Sequence, residues 1–347
     1  MTDVVATPAQ AAGLEREPLL VLEPLAAFLD AHGLGTGDVR ASAIGEGHSN
    51  VTYLLERDRG ERFVLRRPPR GPLAPSTHDV LREARLLELL APTGVAVPPI
   101  LAVCDDETVI GAPFYVMPFI AGHVLTAELP AAFADPAAIG DVLVDALAAL
   151  HAVPIDGDLA GFGRPDGYLE RQLRRFVGLL EANATRPLPD LEAVADWLGR
   201  HRPHSSEATV VHGDYRLGNA MLAPLPRVAA ILDWELATLG DPLADVGYLT
   251  AMWAQPDDPD DPMLDLSRVT RGPGFASRAA LAARYAERTG RDTSDLRWYQ
   301  VLAIWKAAIF LEGSYRRHQA GSTDDPYFAR LADGVPQLAR RARALTD

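Results

Sequence analysis

The stretch VHGDYRLGNAML at residues 211–222 interrupts an apolar part of the chain with four polar side chains, namely His212, Asp214, Arg216 and Asn219. Asn219 follows Asp214 by five residues, and a second aspartate, Asp233, comes next in ILDWE at 231–235. Phosphoryl transfer from a nucleotide uses such a set, because one carboxylate accepts the proton of a hydroxyl while an Asn and a second Asp hold Mg²⁺. The spacing therefore indicates Asp214 as a base and Asn219 with Asp233 as metal ligands.

Each of these polar residues also has a structural interpretation. An aspartate in a turn after a strand is most often a local cap, but the spacing of the trio favours a metal-nucleotide site. His212 is better explained as a structural residue that hydrogen-bonds backbone near the metal loop. Arg216 is a candidate to contact an anionic acceptor, although an exposed arginine is more often solvated surface.

The composition is that of a folded globular protein. The 347 residues are 48% apolar and 23% charged, so we expect disorder only in the first dozen residues and the acidic run DDPDDP at 257–262. That run could attract a cationic aminoglycoside, but a solvated loop is favoured. A net charge of −14 argues against nucleic acid as a partner.

Location and redox state are constrained by what the sequence lacks. MTDVVATPAQ has no basic segment followed by an apolar core, and no stretch approaches ~18 apolar residues, so we expect no signal peptide, no membrane contact and a cytoplasmic protein. The single cysteine, Cys104, excludes an internal disulfide and a Cys-rich zinc site. We interpret it as a small residue near the end of an apolar strand. The sequence is compatible with a homodimer without determining one.

The periodicity changes along the chain. Residues 20–31 have helical spacing, and strands are expected entering Ile44 and at 51–56, 62–66, 99–103 and 113–117, with a helix at 79–90 between the third and the fourth. After Gly122 the predicted helices are 137–151, 168–182, 190–199, 277–288, 296–318 and 327–344, interrupted only by strands near 209–211 and 228–232. The pattern predicts an α+β protein with a small antiparallel β-rich lobe and a larger helical lobe.

Specific motifs resemble the aminoglycoside phosphotransferase family, whose two-lobed fold is related to that of protein kinases. The resemblance is carried by HGDYRLGN, ILDWE and GDPLADVGYL, and by four N-terminal segments in the family's order: IGEGHSNVTY, FVLRR, LREARLLELL and PFYVMPFIAG. PGFASR at 273–278, RYAERTGRD at 284–292 and KAAIFLEGSYRRHQAG at 306–321 are similar to one subgroup. That subgroup comprises kinase-like domains found beside or fused to acyl-CoA dehydrogenases, some of which phosphorylate hydroxyacyl-CoA intermediates.

The resemblance implies roles for individual residues. Asp214 would be the catalytic base, Asn219 and Asp233 the Mg²⁺ ligands, and Glu83 the helix partner of a strand cation. By strand register that cation is Arg66, where the family usually has a lysine. Either Arg66 takes over the role of the lysine, or it points elsewhere and the enzyme relies on Mg²⁺ alone. The lone lysine, Lys306, is a poor candidate for binding the phosphates.

Two further segments are expected to contact the nucleotide. In the loop at 45–50, Gly45 and Gly47 would let backbone N–H groups approach phosphate oxygens and Ser49 could donate a hydrogen bond, although an ordinary hairpin loop is the alternative. In PFYVMPFIAG, the Pro118 carbonyl and the Ile120 N–H would meet an adenine edge, with Met117 behind the ring. This segment is equally a buried strand running into a turn.

These features lead to a functional prediction. Residues 1–118 are expected to form a nucleotide-binding lobe with a leading helix, and residues 119–347 a catalytic and acceptor-binding lobe. The chain would be an ATP- and Mg²⁺-dependent kinase of a small-molecule hydroxyl, such as that of a hydroxyacyl-CoA. An aminoglycoside or macrolide acceptor is the first alternative. A non-catalytic nucleotide-binding pseudokinase, motivated by Arg66, is the second.

Overall fold

The computed structural model describes residues 3–45, 50–71, 78–205, 207–225, 227–321 and 326–347. It divides the chain into two compact units, Met1–Ala121 and Gly122–Asp347. The first is built on a sheet and the second is mainly helical, and their elements follow in that order.

The first unit contains seven strands and three α-helices among its described residues. In chain order they are β1 (Val4–Val5), α1 (Pro8–Ala12), β2 (Leu20–Val21), α2 (Leu22–Ala31), β3 (Val39–Ile44), β4 (Val51–Arg57), β5 (Arg62–Arg67), α3 (Val80–Leu90), β6 (Ala102–Cys104) and β7 (Phe114–Pro118). Five strands form one antiparallel sheet in the order β3-β4-β5-β7-β6, while β1 and β2 form a separate parallel pair. The pairing of β5 with both β4 and β7 places its side chains in the middle of the sheet.

Helix α2 and the sheet share one apolar core. Leu25 and Leu29 of α2 pack with Leu55, Leu65 and other buried residues of the sheet strands. Cys104 is buried in this core as a free thiol, which confirms its interpretation as a strand residue. Burial raises the pKa of the Cys104 thiol, which disfavours the reactive thiolate.

The N-terminal segment is more ordered than its composition suggested. Helix α1 has a capping box in which the Thr7 hydroxyl accepts from the Gln10 N–H and the Gln10 side chain accepts from the Thr7 N–H. The predicted disorder of the first dozen residues is therefore wrong from residue 3 onward. The helix predicted over 20–31 begins at Leu22, because Leu20 and Val21 pair with β1.

The fourth predicted strand is also displaced. It was expected at 99–103, but β6 covers only Ala102–Cys104. Pro98 and Pro99 precede it and have no N–H to donate, so regular pairing starts beyond them, where the Leu101 N–H donates to the Val116 carbonyl at 2.8 Å.

The second unit contains eight α-helices and four short strands among its described residues. They are α4 (Pro136–His151), α5 (Tyr168–Asn183), α6 (Pro189–Arg200), β8 (Thr209–Val211), β9 (Ala220–Ala223), β10 (Arg227–Ile231), β11 (Thr238–Gly240), α7 (Leu243–Met252), α8 (Arg278–Thr289), α9 (Leu296–Gln319), α10 (Pro326–Ala329) and α11 (Leu331–Ala344). Helix α9 packs against α5, α6, α7 and α11. Strands β9 and β10 form one antiparallel pair, and β8 and β11 form another.

Three features of this unit differ from the sequence prediction. Helix α7 was missed because it is buried on most of its surface, so its sequence LADVGYLTAM has no amphipathic period. Strands β9, of four residues, and β11, of three, were also missed. The helix predicted over 327–344 is divided between α10 and α11 at Arg330.

The prediction of an α+β fold is confirmed by the antiparallel sheet of the first unit and the helices of the second. Within the described residues, every helix is too short or too polar to span a lipid bilayer.

Candidate active site

The loop between β8 and β9 brings three of the predicted site residues together. The Asn219 Nδ2 donates to the Asp214 carboxylate oxygen Oδ2 at 2.7 Å and to the Asp214 backbone carbonyl at 2.9 Å. The Arg216 Nε lies 3.7 Å from Asp214 Oδ1, and both side chains are 18% exposed. Asp214, Arg216 and Asn219 therefore form one cluster within the loop.

The two oxygens of Asp214 have different surroundings. Oδ2 accepts from Asn219, whereas Oδ1 is buried and has the Arg216 guanidinium at 3.7 Å but no hydrogen bond within 3.5 Å to the described residues. A buried carboxylate oxygen without a donor is costly unless a ligand group satisfies it. Oδ1 is therefore the atom with capacity to accept a hydrogen bond from an acceptor hydroxyl.

Tyr248 of α7 is a neighbour of Asp214 that the sequence analysis missed. Burial raises the pKa of the Tyr248 phenol well above its ordinary value, and the adjacent Asp214 carboxylate raises it further. The phenol therefore stays protonated beside the carboxylate. The sequence did contain a signal, because Tyr248 follows Asp245 by three residues and so lies on the same side of a helix.

Asp245 holds the start of this loop from inside the unit. Its side chain is fully buried, and it accepts from the backbone N–H groups of His212 at 2.7 Å and Gly213 at 2.8 Å. His151 Nε2 lies 3.2 Å from Asp245 Oδ2, and His151 Nδ1 lies 2.7 Å from the Tyr285 hydroxyl. Asp245 thus fixes the backbone that leads into Asp214.

His212 has the structural role that the sequence suggested. Its ring is buried, with Nε2 2.9 Å from the Leu232 carbonyl, while Nδ1 accepts from the Asp214 N–H at 3.2 Å. Gly213 follows with φ +87°, and a Cβ there would lie 2.8 Å from the Leu236 carbonyl oxygen. Both the backbone angle and the close approach require glycine.

Asn219 and Asp233 lie at the same end of the β9–β10 hairpin. Ala220 pairs with Ile231, and the Leu232 N–H donates to the Asn219 carbonyl at 2.8 Å. Asp233 has φ +66°, a conformation that costs a non-glycine residue about 1–3 kcal/mol and tends to occur at functional sites. The β9–β10 hairpin therefore places the two predicted metal ligands at the same end of one structural element.

The chemistry of Asn219 and Asp233 fits Mg²⁺. The Asn219 Nδ2 is engaged by Asp214, so Oδ1 is the amide atom left to face a cation. Within the described ranges no group of three or more His, Cys, Asp or Glu is arranged for a metal ion. Two oxygen ligands suffice for Mg²⁺, which usually keeps waters and takes its other ligands from phosphates.

In the first unit, the predicted strand cation and helix carboxylate are in contact. Arg66 pairs in register with Thr52 and Tyr115, and its Nε donates to Glu83 Oε2 at 3.0 Å. Asp79 caps α3 and so places Glu83 in the first helical turn, where it is 2% exposed. The predicted contact between Arg66 and Glu83 is therefore present, and the role of Arg66 in binding a nucleotide stays a prediction.

The other predicted nucleotide contacts are placed only in part. Gly45 follows β3 with φ +83°, which favours glycine, whereas Gly47 and Ser49 lie outside the described residues. Met117 and Pro118 end β7 and pair with Val64 and Phe63. Ile120 is half-buried two residues further on. Nothing in this arrangement tests their predicted roles at an adenine ring.

The acidic run at 257–262 is not simply a solvated loop. Asp258 accepts two hydrogen bonds from Arg278, and Asp261, which is 4% exposed, accepts from Arg341 at 2.9 Å. The expectation of a solvated, disordered run is wrong for these two residues, because arginines from α8 and α11 neutralise them.

Comparison with known proteins agrees with these motifs. The model of the phosphotransferase enzyme family matches residues 40–300. Acyl-CoA dehydrogenase family member 11 of Rattus norvegicus is 33% identical over 340 residues, which cover 92% of this chain and 43% of the relative. The chain spans between 29% and 44% of the curated relatives it matches.

Solved structures share the fold. A Ralstonia eutropha protein assigned to the aminoglycoside phosphotransferases has a TM-score of 0.75 and 29% identity, covering 93% of this chain and 97% of its own. Amicoumacin kinase, solved with AMP-PNP, Ca²⁺ and amicoumacin, has a TM-score of 0.57 and 14% identity, covering 87% and 88%. The predicted kinase-like fold is thereby confirmed, and the chain belongs to the phosphotransferase enzyme family.

Proposed function

We propose that this protein is a nucleotide- and Mg²⁺-dependent kinase of a small-molecule hydroxyl. The proposal rests on the different surroundings of the two Asp214 oxygens in the loop at 212–219. Asn219 engages one oxygen of Asp214, while the other oxygen lacks a hydrogen-bond donor among the described residues. That arrangement suits a carboxylate that accepts a proton while the amide oxygen of Asn219 is left for the metal.

Each residue of the loop has a defined task in this proposal. Asp214 Oδ1 orients the acceptor hydroxyl and takes its proton, and Arg216 and Tyr248 limit the movement of the carboxylate. Asn219 and Asp233 would hold Mg²⁺, which when bound neutralises charge on the transferring phosphoryl group. Asp245 keeps the loop backbone in place through its two hydrogen bonds.

Arg66 is proposed to bind the nucleotide phosphates with Glu83 holding it from behind, and Gly45, Gly47 and Ser49 are proposed to cover the phosphates. Met117, Pro118 and Ile120 are proposed to contact the base. We propose ATP as the nucleotide, nucleotide binding for residues 1–118, and catalysis with acceptor binding for residues 119–347. The buried Glu83 supports this assignment, because its contact with Arg66 Nε leaves the guanidinium held in one orientation.

For the acceptor we propose a hydroxyacyl-CoA. The support comes from the relatives, which are named acyl-CoA dehydrogenase family members. An aminoglycoside acceptor has support from the Ralstonia eutropha structure. Against it, the acidic run offers less negative charge to a polycation than its sequence suggests, because Arg278 and Arg341 neutralise two of its carboxylates.

The proposal is tested by binding and by transfer. Mg-ATP should raise the midpoint of thermal unfolding, and labelled γ-phosphate should appear on hydroxydecanoyl-CoA but not on decanoyl-CoA, which lacks only the hydroxyl. Kanamycin and a macrolide are assayed in parallel, with GTP as a second donor. Failure of both the thermal shift and transfer to every hydroxylated acceptor would rule the function out.

A Glu83→Gln variant tests the role proposed for Arg66. Losing the carboxylate removes a charge-assisted hydrogen bond worth about 1.5–3 kcal/mol, so Arg66 is no longer held and Mg-ATP affinity should fall roughly 10-fold. Titration calorimetry with Mg-ATP measures this directly. Glu88→Gln, on the same helix, is the matched control and should bind like the unmodified protein. Unchanged affinity in Glu83→Gln would favour the alternative in which the enzyme relies on Mg²⁺ alone.

A further inference from the structure

Lys306 is the single lysine in a chain whose other 32 Lys-or-Arg positions are arginine. Even the strand position where the family usually has a lysine is occupied by Arg66. Arginine replaces lysine readily where only a surface charge is needed, but its guanidinium is larger, planar and permanently charged. The one position that retains lysine therefore stands apart from the other basic positions of the chain.

The side chain lies on α9 beside an aromatic surface. Lys306 Nζ is 4.8 Å from the centroid of the Phe176 ring on α5, and Phe176 packs edge-on against Phe310 at 4.9 Å. Phe176 is buried, whereas Phe310 is 40% exposed, so Phe310 is the ring of this pair that is open to a ligand. Across the described residues, Lys306 forms neither a hydrogen bond nor an ion pair. Its ammonium therefore has donors available.

The charges around Lys306 connect it with the catalytic loop. The pKa of Lys306 is lowered to about 8, mainly by burial and secondly by the Arg175 guanidinium on α5. The carboxylates of Asp245 on α7 and Asp214 in the loop act in the opposite direction. Helix α9, which carries Lys306, packs against α7, and Asp245 of α7 accepts from the backbone N–H groups that lead into Asp214.

We propose that Lys306 is the specificity-determining residue for the acceptor, with its ammonium bound to a carbonyl or carboxylate oxygen and the exposed Phe310 ring against an adjoining apolar chain. This inference rests on the proposed function and assigns the acceptor side of the same site. When an oxygen of the acceptor accepts from Lys306, the acceptor hydroxyl must lie at a fixed distance from that oxygen in order to reach Asp214. A polycationic acceptor would instead bring its ammonium groups toward Lys306 and Arg175.

Because the chain has one lysine, amine acetylation reports on it alone once the N-terminal peptide is set aside. Acetylation of the Lys306 peptide, followed by mass spectrometry, should reach half its maximal rate near pH 8. Hydroxydecanoyl-CoA should slow it at least about 10-fold at pH 8, as expected for an occupied site. Arg174→Lys adds an exposed reference lysine on α5, which should titrate near its ordinary pKa of about 10.4 without protection. Equal titration and no protection at the two lysines would overturn the assignment.

Substitutions separate recognition from a structural role. Lys306→Met should raise the KM for hydroxydecanoyl-CoA about 10-fold or more with little change in the KM for ATP, as expected when acceptor binding is lost. In the unmodified enzyme the acceptor KM should rise above pH 8, and Lys306→Arg should abolish that rise because its charge persists. An unchanged acceptor KM in Lys306→Met would contradict the proposal.

Binding distinguishes this inference from the proposed function. Calorimetry with hydroxydecanoyl-CoA requires no turnover, so it reports on Lys306 even if no phosphoryl transfer occurs. Tight binding to the unmodified protein and at least about 10-fold weaker binding to Lys306→Met supports the acceptor role. Equal affinities overturn it whether or not the kinase reaction is found.

Discussion

Asp214→Asn is expected to lower kcat for phosphoryl transfer by about 10²-fold or more. Asn219 Nδ2 donates to Asp214 Oδ2, so an asparagine at 214 would keep its oxygen on that side and turn its NH₂ toward the acceptor. An amide nitrogen cannot accept a proton from a hydroxyl. The measurement is initial-rate transfer from Mg-ATP to the acceptor identified in the screen.

The same variant should leave nucleotide binding and folding nearly intact, because the proposed Mg²⁺ ligands are Asn219 and Asp233. The Mg-ATP dissociation constant is expected to change less than about 3-fold. Asp257→Asn, an exposed carboxylate of the acidic run, is the matched control and should retain full activity. If Asp214→Asn turned over as fast as the unmodified protein, the pseudokinase alternative would gain support.

The sequence predicted those parts of the site that are local in the chain. The spacing of Asp214 and Asn219 implies one loop, and the register of β5 identifies Arg66 as the neighbour of Glu83. The loop follows from spacing and the choice of Arg66 from strand alternation, whereas Glu83 as its partner was implied by the resemblance to the family. The α+β class followed from the same periodicities.

Features that depend on packing between distant elements could not be predicted. Tyr248 reaches Asp214 only because α7 is buried beneath the loop, and a helix buried on most sides has no amphipathic pattern. Asp261 is buried because Arg341, 80 residues away, meets it. The composition of residues 257–262 alone does not indicate that a distant arginine contacts them.

The contrast between Arg66 and Lys306 shows what arginine can replace. Arg66 donates to Glu83 with Nε, a position where a fixed guanidinium can serve as well as an ammonium. Lys306 is packed on Phe176 in a setting that penalises its charged form, where the smaller amine is favoured. The two positions therefore differ in their partners, because Arg66 contacts a carboxylate and Lys306 contacts an aromatic ring.

Asp245→Asn is expected to destabilise the protein by about 3 kcal/mol or more, since it disrupts a buried charged group that has several partners. The carboxylate accepts from the His212 and Gly213 N–H groups and from His151, and all three require an acceptor. The NH₂ of an asparagine would face at least one of these donors. The loss is measured as the shift in the midpoint of urea unfolding followed by tryptophan fluorescence.

Hydrogen exchange identifies the origin of that loss. Backbone amides in the peptide covering 209–217 should exchange much faster in Asp245→Asn, because two of them lose their acceptor. Asp265→Asn makes the same chemical change at an exposed ion pair with Arg330 and should cost no more than about 0.5 kcal/mol. Equal stability of the two variants would contradict a supporting role for Asp245. Asp214→Asn would lose activity with stability retained, whereas Asp245→Asn would lose both, because a base acts on the acceptor while Asp245 acts on the loop that carries the base.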